Sequence, residues 1–332
     1  MSEKISVIIP VFNVESYIRE SLDSLLDQTY DNWEAVVVDD GSTDSSSKIL
    51  SEYANKDQRI VVIRQENSGV SGARNAALKK LTGDYVLFLD PDDFIHPQLM
   101  EIALSNIKKY NTELIVFGAQ KFYRNTKVEP SRTELDQGVF CDIGRIELFS
   151  LMFNERHHSK YCKGGYVYTK LYKKELLDNC FFNDELSYYE DELYCNQIYN
   201  RLDSKFRTVY IDHPLYFYRQ RASSAIRSNR IKRLFAQYSC RKSILKQHNP
   251  NTEEYRIIDH ARLVCLIKLM QISLLSGYSG AFSLFRRILL SRKDIPLRTL
   301  LPYLTGPIFA TLYSKFRLEK ASKKNKNLEY WA

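Results

Sequence analysis

The sequence has few cysteines, and their arrangement suits neither a metal module nor a disulfide scaffold. Its 332 residues contain six, with no Cys-x-x-Cys pair. Small zinc modules and small secreted domains show closely spaced or regularly patterned cysteines, so neither class is indicated. A reducing cytosol is the compartment that fits best. The cysteines are Cys141, Cys162, Cys180, Cys195, Cys240 and Cys265.

Long hydrophobic runs are also missing. The two most apolar stretches are 263–275, which Lys268 interrupts, and 299–314, which contains two prolines and a glycine. Both are shorter than the roughly 20 residues that a helix needs to cross a bilayer. The N-terminus lacks the long apolar core and the cleavage site of a signal peptide. We therefore expect a protein that is not secreted and that lies on a membrane without crossing it.

Acidic residues are scarce in the last third of the chain. Residues 1–213 hold 25 basic and 34 acidic residues, a net charge of −9, whereas residues 214–332 hold 23 and 6, a net charge of +17. A basic excess of this size predicts an anionic partner, such as a membrane surface, an acidic lipid or a nucleic acid. Because no RNA-recognition or helix-turn-helix signature accompanies it, we do not expect a nucleic acid.

Apolar runs and helical patterns alternate along the first 90 residues. Strand-like runs at 5–12 and 35–39 flank a helical pattern over 16–28, and the same alternation continues to a fourth strand. This alternation predicts a mostly parallel sheet with helices on both faces. In such sheets ligands bind beyond the carboxyl ends of the strands. Basic helical patterns follow near the end of the chain, at 229–247, 253–275 and 278–292.

The segment 90–93 (DPDD) directly follows the fourth strand. Three carboxylates so close together repel one another unless a cation or hydrogen-bond donors neutralise them. Carboxylate oxygens suit Mg2+ or Mn2+, and Mg2+ usually adds phosphate oxygens to one or two carboxylates. The segment therefore predicts a metal and nucleotide diphosphate site. The alternative is a solvated acidic turn in which Asp93 caps the following helix.

Three further segments carry polar residues where a ligand would bind. In 39–44 (DDGSTD) a carboxylate would accept a hydrogen bond from a nucleobase, or the segment forms an Asx-turn or a helix N-cap at Thr43 or Asp44. In 68–75 small residues enter a helix, which suits an anion but matches neither the dinucleotide-binding nor the P-loop pattern. In 188–192 (YYEDE) aromatic neighbours would tune a carboxylate as a general base, or the segment is a solvated helix start.

In this order, the segments resemble family 2 glycosyltransferases of the GT-A fold, which transfer nucleotide-activated sugars with inversion. The resemblance covers roughly residues 4–225. It implies an α/β catalytic domain over 1–220, with a Rossmann-like, mostly parallel mixed sheet, followed by a basic and mainly helical region over 221–332. The matching segments are SVIIPVFNVESYI, SLLDQTY, VVVDDGSTD, ENSGVSGARNAAL, GDYVLFLDPDD, KLYKKELL, YYEDELY and PLYFYRQRASS.

The resemblance implies a nucleotide-sugar site at the carboxyl ends of the first strands. Pro10, Phe12 and Asn13 correspond to the loop beside the nucleobase, and Asp40 to the carboxylate that accepts from the uracil N3–H. Arg74 is expected to contact phosphate, because arginine pairs well with phosphate oxygens.

The same resemblance implies the catalytic residues. Asp90 and Asp92 correspond to the D-x-D pair, with Asp92 the direct ligand of Mn2+ or Mg2+ and Asp90 nearer the ribose; Pro91 stands where a small polar residue is usual. Asp191 corresponds to the base that deprotonates the acceptor hydroxyl, and Glu190 supports it. The intact carboxylates argue against a catalytically inactive sugar-binding relative.

Some residues are left open. Arg219 and Arg221 either contact phosphates or belong to the basic surface. We interpret His213 as structural.

From these features we expect a cytoplasmic enzyme, peripheral at the inner face of the cell membrane. It would transfer one hexose or N-acetylhexosamine from a UDP-sugar to a lipid-linked oligosaccharide during bacterial capsule or other surface-polysaccharide assembly. The bacterial and polysaccharide parts of this expectation rest on the resemblance. The lipid-linked acceptor is suggested by the basic last third. The alternative acceptor is a soluble or protein-linked glycan, with the basic helices forming a homodimer or binding a partner subunit.

Overall fold

The computed structural model of the chain describes residues 3–123, 140–153, 165–186, 188–220 and 230–275. Three predicted features lie outside these residues: the helix over 278–292, the apolar stretch 299–314 and Arg221.

The described residues form a mixed sheet with helices. The strands are β1 (Ile5–Val11), β2 (Trp33–Asp39), β3 (Ile60–Arg64), β4 (Tyr85–Phe88), β5 (Phe94–Ile95), β6 (Leu114–Tyr123), β7 (Phe140–Gly144), β8 (Lys170–Lys173) and β9 (Arg207–Gln220). The α-helices are α1 (Ile18–Leu26), α2 (Ser46–Lys56), α3 (Gly69–Leu78), α4 (Leu99–Tyr110), α5 (Arg145–Phe153), α6 (Glu190–Tyr199), α7 (Arg230–Leu245) and α8 (Glu253–Leu275). Short 3-10 turns lie at Val167–Thr169 and Lys174–Leu177.

The strand order is β3-β2-β1-β4-β8-β6-β9-β5, with β7 paired to β9. The first four strands in this order run parallel, as their β-branched runs predict. Every residue of β1 and of β2 is buried, which explains why their sequences are almost continuously apolar. In the rest of the sheet, β8 runs antiparallel to both β4 and β6, whereas β9 pairs parallel with β6. The predicted α/β class is confirmed.

The parallel pairing brings three strand ends to one edge of the sheet. Val11 at the end of β1 pairs with Asp39 at the end of β2, and β4 lies on the other side of β1. The loops that follow these strands begin at Phe12, Asp40 and Leu89, so they emerge side by side. They contain the sequence-predicted polar residues, and this edge is where ligands bind in such sheets.

The chain divides into two compact units. The first comprises Met1–Ser228 and Ser239–Asp259, and the second comprises Asn229–Tyr238 and His260–Ala332. Helices α7 and α8 contribute residues to both units. The predicted division of the chain at residue 220 stays a prediction. In the part of the chain that the structure describes, no helix is both long enough and apolar enough to cross a membrane.

Candidate active site

The acidic loop after β4 is anchored by its third carboxylate. Asp93 is 1% exposed; its Oδ1 accepts from the backbone N–H of Arg219 at 2.7 Å, and its Oδ2 accepts from the hydroxyl of Tyr216 at 2.8 Å. Burial raises the pKa of Asp93 well above its usual range, and the neighbouring Asp92 and Asp90 raise it further. Asp93 therefore anchors the loop to β9 instead of capping the next helix, α4, whose N-cap is Gln98.

Two side chains of β9 complete this anchorage. The backbone N–H of Asp90 donates to the Tyr216 hydroxyl at 3.1 Å, and Nε of Arg219 donates to the carbonyl of Asp92 at 2.7 Å. The Arg219 guanidinium also pairs with Glu20, so its donors serve the protein's own groups. Within the loop held this way, Asp90 and Asp92 are partly exposed.

Arg219, which the sequence left open, is buried, and His213, which we interpreted as structural, is half-buried. Arg219 is 7% exposed and its guanidinium lies 4.5 Å from the centre of the Phe122 ring, so it is not part of an exposed basic surface. His213 packs edge-on against His96 with 6.1 Å between the ring centres, and burial lowers its pKa. Both side chains thus contact other side chains of the protein.

Arg74 joins the two predicted acidic clusters. It lies in α3 with 3% of its surface exposed. Its Nη2 lies 2.9 Å from Oδ1 of Asp90, and its Nη1 lies 2.9 Å from Oδ1 of Asp191 and 3.3 Å from Oε1 of Glu190. Carboxylates that are 116 and 117 positions away from Arg74 in sequence thus share one cation. Whether Arg74 also contacts phosphate stays a prediction.

Asp191 sits in an environment that favours proton exchange near neutral pH. Only 13% of its side chain is exposed, and the backbone N–H of Val167 approaches its Oδ2 at 3.4 Å. Burial raises the pKa of Asp191 to about 7; Arg74 opposes this shift, whereas Glu190 and Asp90 add to it. A carboxylate with a pKa near the working pH is suited to accept a proton from a hydroxyl.

The charge of Arg74 is maintained by its neighbours. Burial by itself lowers the pKa of Arg74, but Asp191, Asp90 and Glu190 together raise it above its usual value. The guanidinium Nε is buried and has no hydrogen-bond partner among the residues that the structure describes. Three carboxyl groups share this one cation. The cluster therefore has a net negative charge when all three are ionised.

On the predicted nucleobase side, Asn13 connects the loops after β1 and β2. Its φ of 49° is left-handed, a conformation that asparagine tolerates. Its Oδ1 accepts from the backbone N–H of Thr43 at 2.8 Å, and its own N–H donates to Oγ of Ser42 at 3.2 Å. Beside it Phe12 is 46% exposed, whereas Pro10 is buried within β1. Their contacts with a nucleobase stay predictions.

Asp40 holds the start of the helix that carries Arg74. Its Oδ1 accepts from the backbone N–H of Ser68 at 2.8 Å and from Nε2 of Gln65 at 2.7 Å, and its Oδ2 accepts from the N–H of Gly69 at 2.8 Å. These bonds satisfy N–H groups at the N-terminus of α3. The predicted bond to uracil stays a prediction. The alternative role of Thr43 or Asp44 as N-cap is wrong, because the N-cap of α2 is Ser45; Asp44 instead forms an Asx-turn, in which its Oδ1 accepts from Ser46 N–H at 2.9 Å.

A stack of tyrosines beside the acidic loop was not predicted. Tyr168 lies 5.0 Å from Tyr166, 4.4 Å from Tyr216 and 5.7 Å from Tyr218 between ring centres. Burial raises the pKa of Tyr218, and the nearby Asp93 and Asp90 raise it further. The sequence contains 23 tyrosines, so their number alone does not indicate where such a stack would form. A signal existed for half of the stack, because the two-residue spacing of Tyr216 and Tyr218 places both side chains on one face of strand β9. Tyr168 lies in a 3-10 turn, where that spacing carries no such signal.

The acidic loop fits a cation that a diphosphate helps to hold. Among the described residues, no three or more His, Cys, Asp and Glu side chains are arranged to hold a metal by themselves. Asp93 is buried and accepts hydrogen bonds from Tyr216 and Arg219, whereas Asp92 and Asp90 are partly exposed, with Oδ1 of Asp90 also 2.9 Å from Arg74. Mg2+ is usually held by one or two carboxylates together with substrate phosphates and water. These residues match that donor set.

The family model and two relatives that match this chain are described as glycosyltransferases. A family model described as "Glycosyl transferase family 2" matches residues 6–181. Glycosyltransferase GlyA of Streptococcus pneumoniae is 34% identical over 227 residues, which are 68% of this chain and 32% of GlyA. The putative glycosyltransferase EpsH of Bacillus subtilis is 30% identical over 263 residues, which are 76% of this chain and 72% of EpsH. The chain therefore matches about a third of the length of GlyA.

A solved structure shows the same fold. TarS 1–349 of S. aureus in complex with UDP superposes with a TM-score of 0.56 and 25% sequence identity, covering 83% of this chain and 74% of that one.

Proposed function

The chain belongs to glycosyl transferase family 2, and from this premise we propose that it transfers a single sugar from a UDP-sugar to a glycan acceptor, with inversion at the anomeric carbon. The observation that carries the proposal is the contact of one guanidinium, that of Arg74, with Asp90 at 2.9 Å and with Asp191 at 2.9 Å. It places the D-x-D loop and a carboxylate of raised pKa in one cluster. Leaving-group stabilisation and deprotonation of the acceptor are the two requirements of a single displacement.

Asp191 acts as the base. Its pKa of about 7 leaves a large ionised fraction near neutral pH. The carboxylate takes the proton of the acceptor hydroxyl while that oxygen forms a bond to the anomeric carbon, and the bond from this carbon to the diphosphate oxygen breaks with its electron pair. No covalent link between sugar and protein is formed. Glu190 supports Asp191 by sharing Arg74 with it.

Asp92, with Asp90 beside it, would hold Mn2+ or Mg2+ together with the diphosphate. When bound, the cation supplies stabilisation of the negative charge that develops on the departing UDP. Tyr216, Arg219 and the buried Asp93 keep the loop in position for this contact. The nucleobase lies against the loops after β1 and β2, near Asn13 and Asp40. The UDP complex of TarS, which has the same fold, supports a uridine nucleotide as donor.

The acceptor is a lipid-linked glycan at an anionic membrane surface. Residues 214–332 carry a net charge of +17, and anionic membranes attract basic segments with exposed apolar side chains. Helix α7 has this character, because Ile231 is 38% and Phe235 is 48% exposed, with the exposed Lys232 between them. The product would then be a bacterial surface polymer such as a capsule, built at the inner face of the membrane.

Release of UDP from a panel of UDP-sugars, with and without Mn2+ or Mg2+, tests the proposed donor, metal and base. We expect metal-dependent release that Asp92→Asn and Asp191→Asn each abolish, with UDP binding retained in Asp191→Asn. Asp142→Asn is the matched control, because its side chain is 67% exposed in an ion pair with Arg207. Metal-independent release, or release that both site variants leave unchanged, would contradict the proposal.

A further inference from the structure

We propose that Arg241 of α7 is a positioning residue for the transfer reaction: through Glu192 it holds the first turn of α6, and so sets where the Asp191 carboxylate meets Arg74. The inference rests on the proposed function, because it takes Asp191 as the base. It assigns part of the catalytic apparatus to the C-terminal region, beyond residues 6–181 that match the family model.

The contact between Arg241 and Glu192 is a buried, two-pronged ion pair. Nε of Arg241 lies 2.9 Å from Oε2 of Glu192, and Nη2 lies 2.7 Å from Oε1. The side chains are 5% and 9% exposed. The Arg241 guanidinium also lies 5.3 Å from the centre of the Phe153 ring at the end of α5. Because two parallel bonds fix both the distance and the plane of the carboxylate, this pair restrains orientation more than a single contact would.

Glu192 directly follows the proposed base in the first turn of α6. The turn begins with three consecutive acidic residues, Glu190, Asp191 and Glu192. Arg74 compensates the first two and Arg241 compensates the third. The two arginines therefore hold the same helical turn from different sides. Loss of Arg241 would leave the charge of Glu192 buried beside the base.

The backbone just before this turn is strained, and the α7 segment contacts it. Tyr189 has a φ of 64° and a ψ of 20°, a left-handed conformation that is unusual for a bulky residue. Such a conformation persists only where the surroundings enforce it. Sγ of Cys240, the neighbour of Arg241, donates to the carbonyl of Tyr189 at 3.4 Å. The same two residues of α7 thus contact both ends of the short stretch that contains Asp191.

A third contact continues along the same face of α6. Asn196 is fully buried; its Nδ2 donates to Oε1 of Gln247 at 3.0 Å, and its Oδ1 lies 2.8 Å from Nε2 of His248. Glu192 and Asn196 are four positions apart in α6 and so lie on one face of the helix. The segment Ser239–Asp259, which belongs to the same compact unit as the sheet, therefore contacts α6 along this face. The base lies on a neighbouring face, toward Arg74.

The proposal predicts a specific kinetic effect. A displacement of the base by about 1 Å can cost on the order of a hundredfold in rate. The donor site lies at the ends of β1, β2 and β4, whereas Arg241 and Glu192 belong to α7 and α6, so the affinity for UDP should not change. A purely structural role would lower stability and leave the turnover of the folded fraction unaltered.

The test compares Arg241→Met with the double variant Arg241→Met/Glu192→Met. The single change leaves a buried unpaired carboxylate and should lower the unfolding temperature, whereas replacing both partners by apolar side chains of similar size should largely restore it. We expect the transfer kcat of the stable double variant to remain about tenfold to a hundredfold below wild type, with the Kd for UDP unchanged. Arg241→Lys, which keeps the charge but loses the planar fork, should give an intermediate kcat.

Arg207→Met is the matched control. It removes an arginine that pairs with Asp142 through the same two-pronged geometry, at 2.9 and 2.6 Å, but on an exposed surface, and kcat should not change. A double variant that regains the wild-type kcat, or losses that match the unfolded fraction, would overturn the proposal. If the wild-type protein transfers no sugar, the proposed function fails instead, so the two failures are distinguishable.

Discussion

Replacing Arg74 with methionine should shift the pH dependence of transfer to higher pH. The guanidinium lies 2.9 Å from Asp191 and is the group that opposes the rise of that carboxyl's pKa, which stands at about 7. A base works only when ionised, so activity rises as the pH increases through its pKa. Without the cation, Asp191 keeps its burial and the repulsion from Glu190 and Asp90, and its pKa must rise further.

The size of this shift follows from the contact. A close opposite charge lowers a carboxyl pKa by about one to three units, and two charges about 4 Å apart near a protein surface interact by about 4 kcal/mol, or about three pH units. The ionised fraction at pH 7 would then fall from about a half to between about a tenth and a thousandth. Transfer at pH 7 should fall about fivefold to five-hundredfold, and most of the loss should be recovered at higher pH.

The assay is the pH profile of kcat at saturating donor, acceptor and metal, for wild type, Arg74→Met and Arg74→Lys. Arg74→Lys keeps a charge and should shift the profile less. Arg59→Met, which removes the arginine of a surface pair with Asp57, is the control and should leave the profile unchanged. A folded Arg74→Met protein whose acidic limb does not move would refute this reasoning. A loss of equal size at every pH would instead favour the phosphate contact predicted from the sequence.

Three further predictions concern stability and membrane binding. Hydrogen bonds from Lys4, Ser6 and Thr82 outweigh burial and lower the pKa of Glu34 to about 2. Glu34→Gln should therefore cost about 3 kcal/mol of unfolding free energy above pH 4.5, and urea unfolding should show this difference vanishing as the pH falls toward 2. Burial raises the pKa of Asp93, so its charge costs stability at high pH and not at low pH; Asp93→Asn should gain stability relative to wild type as the pH rises, and a difference independent of pH would contradict this. The protein should float with anionic liposomes at low salt but not at high salt, Phe235→Asp should weaken this binding, and flotation with neutral liposomes alone would argue against the anionic surface.

Several elements of the fold could be predicted because their signal is local. The β-branched runs that became β1 and β2 are buried along their whole length, and the pattern over 253–275 became α8. The short β5 and the antiparallel β8 carry too few residues for a period to be recognised. Their positions depend on pairing with β9 and with β4 and β6, which are distant in sequence.

In the candidate site, too, the features that depend on local sequence could be predicted, whereas those that depend on contacts between distant segments could not. The sequence predicted functional roles for Asp90, Asp92 and Asp191 because each segment is unusually acidic and follows a recognisable pattern. It did not reveal that Asp93 is a buried anchor or that Asp40 holds the start of α3, because both roles depend on hydrogen bonds to other segments. Likewise, the sequence predicted a phosphate contact for Arg74 but not its ion pairs with three carboxylates.

The sequence by itself determined the alternation of strands and helices, the chemistry at the strand ends and the charge difference between the two parts of the chain. Each of these depends on neighbouring residues or on composition. The tertiary structure alone decided which charges meet: Arg74 with Asp191, 117 positions apart, and Arg241 with Glu192, 49 positions apart. The physical reason is that a carboxyl's proton affinity depends on its burial and on the charges around it, and both come from distant segments that only folding brings together.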